Sequence, residues 1–333
     1  MVTFHRVGQG LFASETFENH TIIYDCGGEN ADIVRNAIDS DLVRPLDIDI
    51  LFISHYDRDH INGIFHLLER HKVRHVILPL VSHFTRFLAF ENEEFISQSN
   101  KLQQFYSNPV QFFRNNYPGT LYHYLRDANV SFGGSISFNI DGLPSKFDSC
   151  VHVLLIKNWL LIPYNRKVMT MQEEKELMLK LGLNPNFGFD QILKEWPKIP
   201  SVLKKAIIGT GTVNRENIND YSMTLYSQKK ESKTLYLGDY NAKKNFDELK
   251  NVYCSFWKEI SCLQIPHHGS KESFDEDLLT CGAIDYVISN NRFPKRSKNV
   301  NPQQVIDIIN KKHKIYHITD KAKVELRQIT KTV

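Results

Sequence analysis

Cysteine is scarce in this chain: five in 333 residues, scattered and without a Cys-x-x-Cys pair. That argues against a disulfide scaffold or a zinc ribbon and points to a reducing cytoplasm. No apolar run reaches the ~18–20 residues that span a bilayer, so no membrane segment is expected. The opening Met1-Val2-Thr3-Phe4-His5-Arg6-Val7 runs straight into a strand pattern and lacks the apolar core of a signal peptide. Internal repeats and low-complexity tracts are missing as well. Neither sign of charge prevails: 41 Lys and Arg against 38 Asp and Glu leave +3, too little to prove a nucleic-acid partner. With 41% hydrophobic and 24% charged residues the composition is that of a globular protein. The length suits one large domain or two ordinary ones.

One stretch concentrates metal-binding side chains. Ser54-His55-Tyr56-Asp57-Arg58-Asp59-His60-Ile61-Asn62-Gly63 places His55, Asp57, Asp59 and His60 within six positions, and imidazole with carboxylate is a ligand set for Zn²⁺ or Mn²⁺. The preceding Ile48-Asp49-Ile50-Leu51-Phe52-Ile53 reads as a buried strand. Extended backbone past Ser54 would send His55 and Asp57 to one side, because strand side chains alternate. A helix starting near Asp59 would bring Asp59 and His60 round to a second metal position. Two further apolar strands end in the same chemistry: Leu235-Tyr236-Leu237-Gly238-Asp239, and Cys262-Leu263-Gln264-Ile265-Pro266-His267-His268-Gly269-Ser270. Solvated turns would not be expected to repeat that pattern, whereas a dinuclear site at strand ends requires it.

Residues 1–80 alternate strand and helix: a helix at Asn30–Ser40, a strand at Asp49–Ser54, a helix from Asp59 to about Arg70, and a strand at Val73–Pro79. Residues 206–333 alternate likewise, with strands near Ile207, Leu225, Leu235, Leu263, Tyr286 and Ile315, a helix at Pro302–Lys312, and a closing hairpin from His317 to Arg327. Mixed sheets covered by helices follow. Residues 81–205 read as an elaboration on this core, rich in aromatics such as Phe84, Phe87, Phe105, Phe112 and Phe113. Such rings stack on bases or, more commonly, pack a core. Asn129–Phe138 reads as a Gly-Gly hairpin, and Thr170 caps a helix that stops at Gly182.

Together these residues resemble the metallo-β-lactamase superfamily, and more narrowly the hydrolase domain of the ComEC-like DNA-uptake proteins and its free-standing relatives. The narrower group has His-x-Asp-x-Asp-His followed by x-x-Gly, as here. Val7-Gly8-Gln9-Gly10, Ile23-Tyr24-Asp25-Cys26-Gly27, Asn219-Asp220-Tyr221-Ser222, Leu237-Gly238-Asp239 and Pro266-His267-His268-Gly269-Ser270 match its other motifs in order. Leu11 stands where the group has Asp. The third histidine motif of the superfamily is missing, and Asn219 or Asp220 is nearest to its place. Membrane-spanning segments of the uptake proteins are missing too.

The resemblance implies an α/β fold, a metallo-β-lactamase αββα sandwich formed by 1–333 as a single domain, with 81–205 as an aromatic-rich helical and hairpin insertion. It implies two divalent metal ions, Zn or Mn. His55 and Asp57 would bind one, helped by Asn219 or Asp220; Asp59, His60 and one of the paired histidines, His267 by preference, would bind the other; Asp239 would bridge them. A second Asp in place of the superfamily's second His makes the site harder and tilts it toward Mn²⁺. His268 is the candidate for contacting substrate or protonating the leaving oxygen, or is a structural histidine. Asp25 would orient a ligand imidazole, and Ser270 would donate to a phosphate or cap a turn. The cationic run containing Arg292, Lys295 and Arg296 would receive phosphates.

The expected activity is hydrolysis of phosphodiester bonds by a hydroxide shared between two metals, in a nuclease or nucleotide phosphodiesterase acting in the cytoplasm. Two alternatives stay open: a hydrolase of a carbonyl substrate such as a lactone, thioester or β-lactam on the same fold, and a catalytically degenerate metal-binding module with a protein partner in a larger complex.

Overall fold

The computed structural model describes residues 1–42, 45–79, 81–92, 100–124, 136–138, 150–151, 154–156, 158–166, 171–204, 219–289 and 302–326. The strands, in chain order, are Val2–Phe4 (β1), Phe12–Phe17 (β2), His20–Cys26 (β3), Asp47–Phe52 (β4), Lys72–Leu78 (β5), Leu121–Tyr124 (β6), Ile136–Phe138 (β7), Cys150–Val151 (β8), Leu154–Ile156 (β9), Trp159–Asn165 (β10), Thr224–Lys229 (β11), Ser232–Tyr236 (β12), Cys262–Gln264 (β13), Asp285–Ser289 (β14), Lys314–Ile318 (β15) and Val324–Leu326 (β16). They form two sheets. The first runs β16-β1-β2-β3-β4-β5-β6; the second runs β15-β14-β13-β12-β11-β10-β9-β7, with β8 on β10.

Period-2 alternation sorts the apolar side chains into three layers. Phe4, Tyr24, Ile50 and Phe52 of the first sheet meet Trp159, Leu225, Tyr236 and Val287 of the second in a core between the sheets. The other face of the first sheet packs Ile23, Leu51 and Val76 against helical residues such as Val34, Ile38, Leu67 and Phe105. The outer face of the second sheet packs Leu235 and Leu263 against Leu249 and Ile306 from the helices Ala242–Val252 and Gln303–Asn310. Two sheets face to face, each covered by helices, make the expected αββα sandwich.

Local sequence explains most boundaries. Asn30 caps the helix Ala31–Asp41 by accepting from the backbone N–H of Asp32 and Ile33, and Val34, Ala37 and Ile38 form its buried face. The single helix expected from Asp59 to Arg70 is two, Arg58–Ile61 and Ile64–Arg70. The break falls at Asn62-Gly63, where the Asn62 amide brackets the backbone of Gly28 (2.7 and 3.1 Å) and the Gly63 N–H donates to Cys26 O (2.9 Å). Those bonds to the β3 end displace the helical ladder.

The expected closing hairpin is also corrected. β16 pairs antiparallel with β1, Val324 opposite Phe4 and Leu326 opposite Val2, while β15 pairs with β14. The two last strands therefore join opposite sheets, and β16 covers an edge of the first sheet that would otherwise be open.

Within residues 81–205, the helices His83–Asn92, Asn100–Ser107, Pro109–Asn116, Met171–Lys180 and Phe189–Glu195 lie among the elements, and Phe84, Phe87, Phe105, Phe112 and Phe113 are buried in the outer core of the first sheet. β6, β9 and β10 take places in the two sheets. Gly182 (φ +74) follows the helix Met171–Lys180 as expected of a C-terminal stop. Asn129–Gly134, Thr170 and the strand expected near Ile207 lie outside the described residues. No helix among the described residues is long and apolar enough to cross a membrane.

One buried charge sits between the sheets. Glu15 of β2 is 4% exposed and accepts from the Tyr236 hydroxyl of β12 (2.9 Å). Burial pushes its carboxyl up to about 7 against the pull of Tyr236. A carboxyl raised on folding stabilises the protein fully below its unfolded value of 4.5, and that contribution is lost as pH rises through about 7. Glu15→Gln is therefore expected to remove a loss of ~3 kcal/mol between pH 5 and 8.5. Urea midpoints at the two pH values check this: the wild type falls more steeply than the variant.

Candidate metal centre

The site forms where strands of both sheets end. Asp25 is the penultimate residue of β3, Ser54 and His55 follow β4, Asp239 follows β12, His267 and His268 follow β13, and Ser289 ends β14. β3 and β4 are parallel neighbours, as are β12, β13 and β14, so their C-terminal ends open on one side of the sandwich. Several of these residues adopt left-handed backbone that side chains disfavour: Asp25 (φ +56), His267 (φ +47) and His268 (φ +52).

The turn carrying Asp59 and His60 rests directly on two glycines. A Cβ on Gly27 would lie 2.4 Å from Asp59 O and from His60 C, and one on Gly10 would lie 2.5 Å from Asp59 O. Leu11 N–H donates to Asp59 O (3.1 Å). The glycines of Val-Gly-Gln-Gly and Asp-Cys-Gly thus permit a backbone contact that seats the ligand turn.

Asp239, 3% exposed, is the centre of the arrangement. Its Oδ1 lies 3.1 Å from His60 Nε2 and 3.6 Å from His268 Nε2; its Oδ2 lies 3.8 Å from His55 Nε2 and 3.7 Å from His267 Nε2. Asp59 Oδ2 is 3.0 Å from His268 Nε2, and Asp57 Oδ2 is 3.7 Å from His55 Nε2. Ligand atoms of His55, His60 and Asp239 lie within 4.8 Å of one another, as do those of Asp59, His60 and His268.

Beneath them, Asp25 accepts from Ser54 N–H and Oγ–H (both 2.6 Å) and meets His60 Nδ1 at 2.7 Å. Ser54 Oγ also meets His55 Nδ1 at 2.8 Å, Ser273 Oγ meets His267 Nδ1 at 2.9 Å, and His268 Nδ1 meets Ser289 O at 3.0 Å. Each imidazole is held at Nδ1, which turns Nε2 inward.

The residues present fit a cation. His55 Nε2, His60 Nε2 and Asp239 Oδ1 are buried and make no hydrogen bond of acceptable geometry, an arrangement a protein rarely leaves without a partner. The electrostatics agree. Burial opposes the charged forms of Asp239 and His60, yet the surrounding histidines hold the Asp239 carboxyl well below its usual range, and Asp239 and Asp25 raise His60 well above its own. The field that draws a proton to His60 would draw a metal ion to the same lone pair. His55, further from the carboxylates, is pushed down to about 3 by burial and by His60, which keeps its imidazole neutral and able to ligate.

The placement divides the paired histidines differently from the sequence expectation. His268, expected to face substrate, joins Asp59 and His60, while His267, expected there, is 26% exposed and flanks Asp239 Oδ2. Asp220 is buried and joins neither three-residue group; its field reaches Arg166 and Tyr240. Asn219 lies in a short 3₁₀ turn with Asp220 and Tyr221. Ser270 is buried in the histidine turn, its N–H donating to His267 O and its carbonyl accepting from Ser273 and Phe274. Arg292, Lys295 and Arg296 lie outside the described residues. Ser54, Ser273 and Ser289 were missed; Ser54 adjoins the first ligand motif and could have been found there, whereas Ser289 acts through its carbonyl, which no residue type signals.

The sequence profile of the metallo-beta-lactamase superfamily matches residues 16–120. Zn²⁺-bound PqqB from Methylobacterium extorquens aligns with 98% of this chain and 100% of its own at a TM-score of 0.50, with 8% identity. The chain has the metallo-β-lactamase fold. YhfI from Bacillus subtilis aligns with the same 98% of this chain and 100% of its own, at a TM-score of 0.47 and 7% identity. A RING finger protein of Plasmodium falciparum is 25% identical over 140 residues, which are 40% of this chain and 11% of that protein. This chain thus matches only a small part of that relative's length.

Asp25 is buried beneath the centre, where it accepts from Ser54 and faces His60 Nδ1. Asp25→Asn keeps the shape but removes the charge facing His60 Nδ1. Metal affinity is expected to fall ~10–100-fold with the fold intact; chelator competition and circular dichroism check both halves.

Proposed function

We propose that the chain is a metal-dependent hydrolase of phosphodiester bonds, a nuclease or nucleotide phosphodiesterase akin to the ComEC-like hydrolase domains. The observation that carries this reading is the Asp239 carboxylate, which turns Oδ1 to His60 and His268 and Oδ2 to His55 and His267. Asp59, His60 and His268 would hold one divalent ion; His55 and His267, with Asp57 beside them, would hold a second; Asp239 would join both sides. Bound there, Zn²⁺ or Mn²⁺ supplies Lewis acidity and a nucleophile at neutral pH.

The chain's own groups do the rest. Asp25, Ser54, Ser273 and the Ser289 carbonyl fix the imidazoles before substrate arrives, so little reorganisation is needed. Asp57, Asp59 and Asp239 make the centre hard and anionic, which favours phosphoryl chemistry with Mn²⁺ over the soft ligand sets selective for thiophilic metals. Arg292, Lys295 and Arg296 begin three residues after Ser289 in sequence, and we assign them to the substrate phosphates.

The test is cleavage of labelled single- and double-stranded DNA and RNA and of linear and cyclic dinucleotides, with Mn²⁺ and with Zn²⁺, across a salt series. Cleavage of at least one class is expected, weakening steeply with salt on a polymer. No phosphodiester cleavage with either ion overturns the reading. Turnover of a lactone or thioester that survives Arg292→Ala and Arg296→Ala would replace it with the carbonyl hydrolase.

A further inference from the structure

We propose that Gln264 is a positioning residue that fixes Asp239 against the paired histidines. Gln264 is the last residue of β13, 3% exposed, and the end of β12 runs beside it. Its Oε1 accepts from the N–H groups of Leu237 (2.7 Å) and Gly238 (2.8 Å). Its Nε2 donates to the carbonyls of Ile265 (2.6 Å) and Gly238 (3.2 Å). A primary amide offers two donors and one doubly accepting oxygen, so its capacity is fully used.

Those partners belong to two turns. Leu237 and Gly238 lead into Asp239, and Ile265 leads into His267 and His268. The Gly238 carbonyl also accepts from His267 N–H (3.0 Å), which closes a ring between the turns. The paired ladder of β12 and β13 covers Thr234 with Cys262 and Leu235 with Leu263 and goes no further. Past it, the Gln264 amide supplies the cross-links that main-chain pairing would have given.

The histidine turn needs such support. His267 (φ +47) and His268 (φ +52) hold left-handed backbone, which persists in residues other than glycine only where the surroundings over-determine it; Gly238 (φ +54) adopts it freely. Without the amide, two N–H groups lose their acceptor and Ile265 O loses a donor. The turns would then relax apart, widening the Asp239-to-histidine separations of 3.6 and 3.7 Å. Ser222 adds a smaller contact, its Oγ accepting from Asp239 N–H at 3.2 Å.

This assignment rests on the metal centre proposed above but not on the bond it cleaves, so the readout is metal binding by the full chain. Zn²⁺ and Mn²⁺ affinities would be measured by chelator competition, with circular dichroism and Tm, for wild type, Gln264→Leu, Gln264→Glu and Val305→Ala. Gln264→Leu removes all four bonds; Gln264→Glu keeps the acceptor and loses both donors. Val305, buried in the outer core of the second sheet, controls for lost stability alone. Gln264→Leu is expected to bind metal at least ~10-fold more weakly, Gln264→Glu by a smaller factor, and Val305→Ala within two-fold of wild type. Should Gln264→Leu fail to fold, Gln264→Glu alone decides. Wild-type affinity in the Gln264 variants overturns the assignment and leaves the centre standing, as does an equal loss in Val305→Ala at matched Tm. A wild type that binds neither ion overturns both.

Discussion

Asp239→Ala is expected to abolish both metal binding and turnover while leaving the protein folded. The carboxylate is buried and faces four imidazole Nε2 atoms between 3.1 and 3.8 Å. Removing it deletes the ligand common to both sides and the charge that balances His60 and His268. A loss of ~10³-fold or more in kcat/KM follows, at least ~4 kcal/mol of transition-state stabilisation. The fold should survive, because the backbone of the turn is held by Gln264 and Ser222 rather than by the Asp239 side chain. Asp239→Asn, which keeps one oxygen, should lie between. Metal content, steady-state kinetics and circular dichroism on one preparation check this; a tenth of wild-type activity in Asp239→Ala would exclude the bridging role.

Gly27→Ala, just past the end of β3, is expected to damage both stability and the metal centre. The new Cβ would lie 2.4 Å from Asp59 C, Asp59 O and His60 C, all main-chain atoms that no rotamer change can move. Relief requires shifting the turn Arg58–Ile61 away from β3. The cost is ~3 kcal/mol or more, the upper end of overpacking effects. The turn carries Asp59 and His60, so metal affinity should fall with stability, unlike the loss from a methyl elsewhere in the core. Tm with and without excess Mn²⁺ separates the two: the metal-induced rise expected in wild type should shrink or vanish in Gly27→Ala.

The ligand motif was legible because its residue types are chemically restrictive. His55, Asp57, Asp59 and His60 at a strand end, and Asp239 and His267-His268 at two others, name the chemistry before any pairing is known. Which histidine of the pair joins Asp59 and His60 was not legible, because it depends on successive left-handed residues and on partners beyond the motif, Ser273 and the Ser289 carbonyl. Sequence order likewise placed Asp220 near a missing ligand position; the structure buries it, outside both three-residue groups and within the field of Arg166 and Tyr240.

The sandwich was legible from alternating strands and helices, whereas the pairing of β16 with β1 was not. It joins residues more than three hundred positions apart, and no local pattern distinguishes it from a hairpin. Gln264, a lone polar residue in the apolar run Cys262-Leu263-Gln264-Ile265, was a readable signal that composition alone passes over; Glu15, between Ser14 and Thr16, carried no such signal.

Metal stoichiometry tests the account most directly. The full chain would be stripped with chelator, dialysed against Mn²⁺ or Zn²⁺, and assayed for metal per chain alongside Asp239→Ala. Two ions per wild-type chain, and none retained by the variant, is the expected result. A wild type that retains no ion, or an Asp239→Ala protein that retains two, would contradict a centre organised around Asp239.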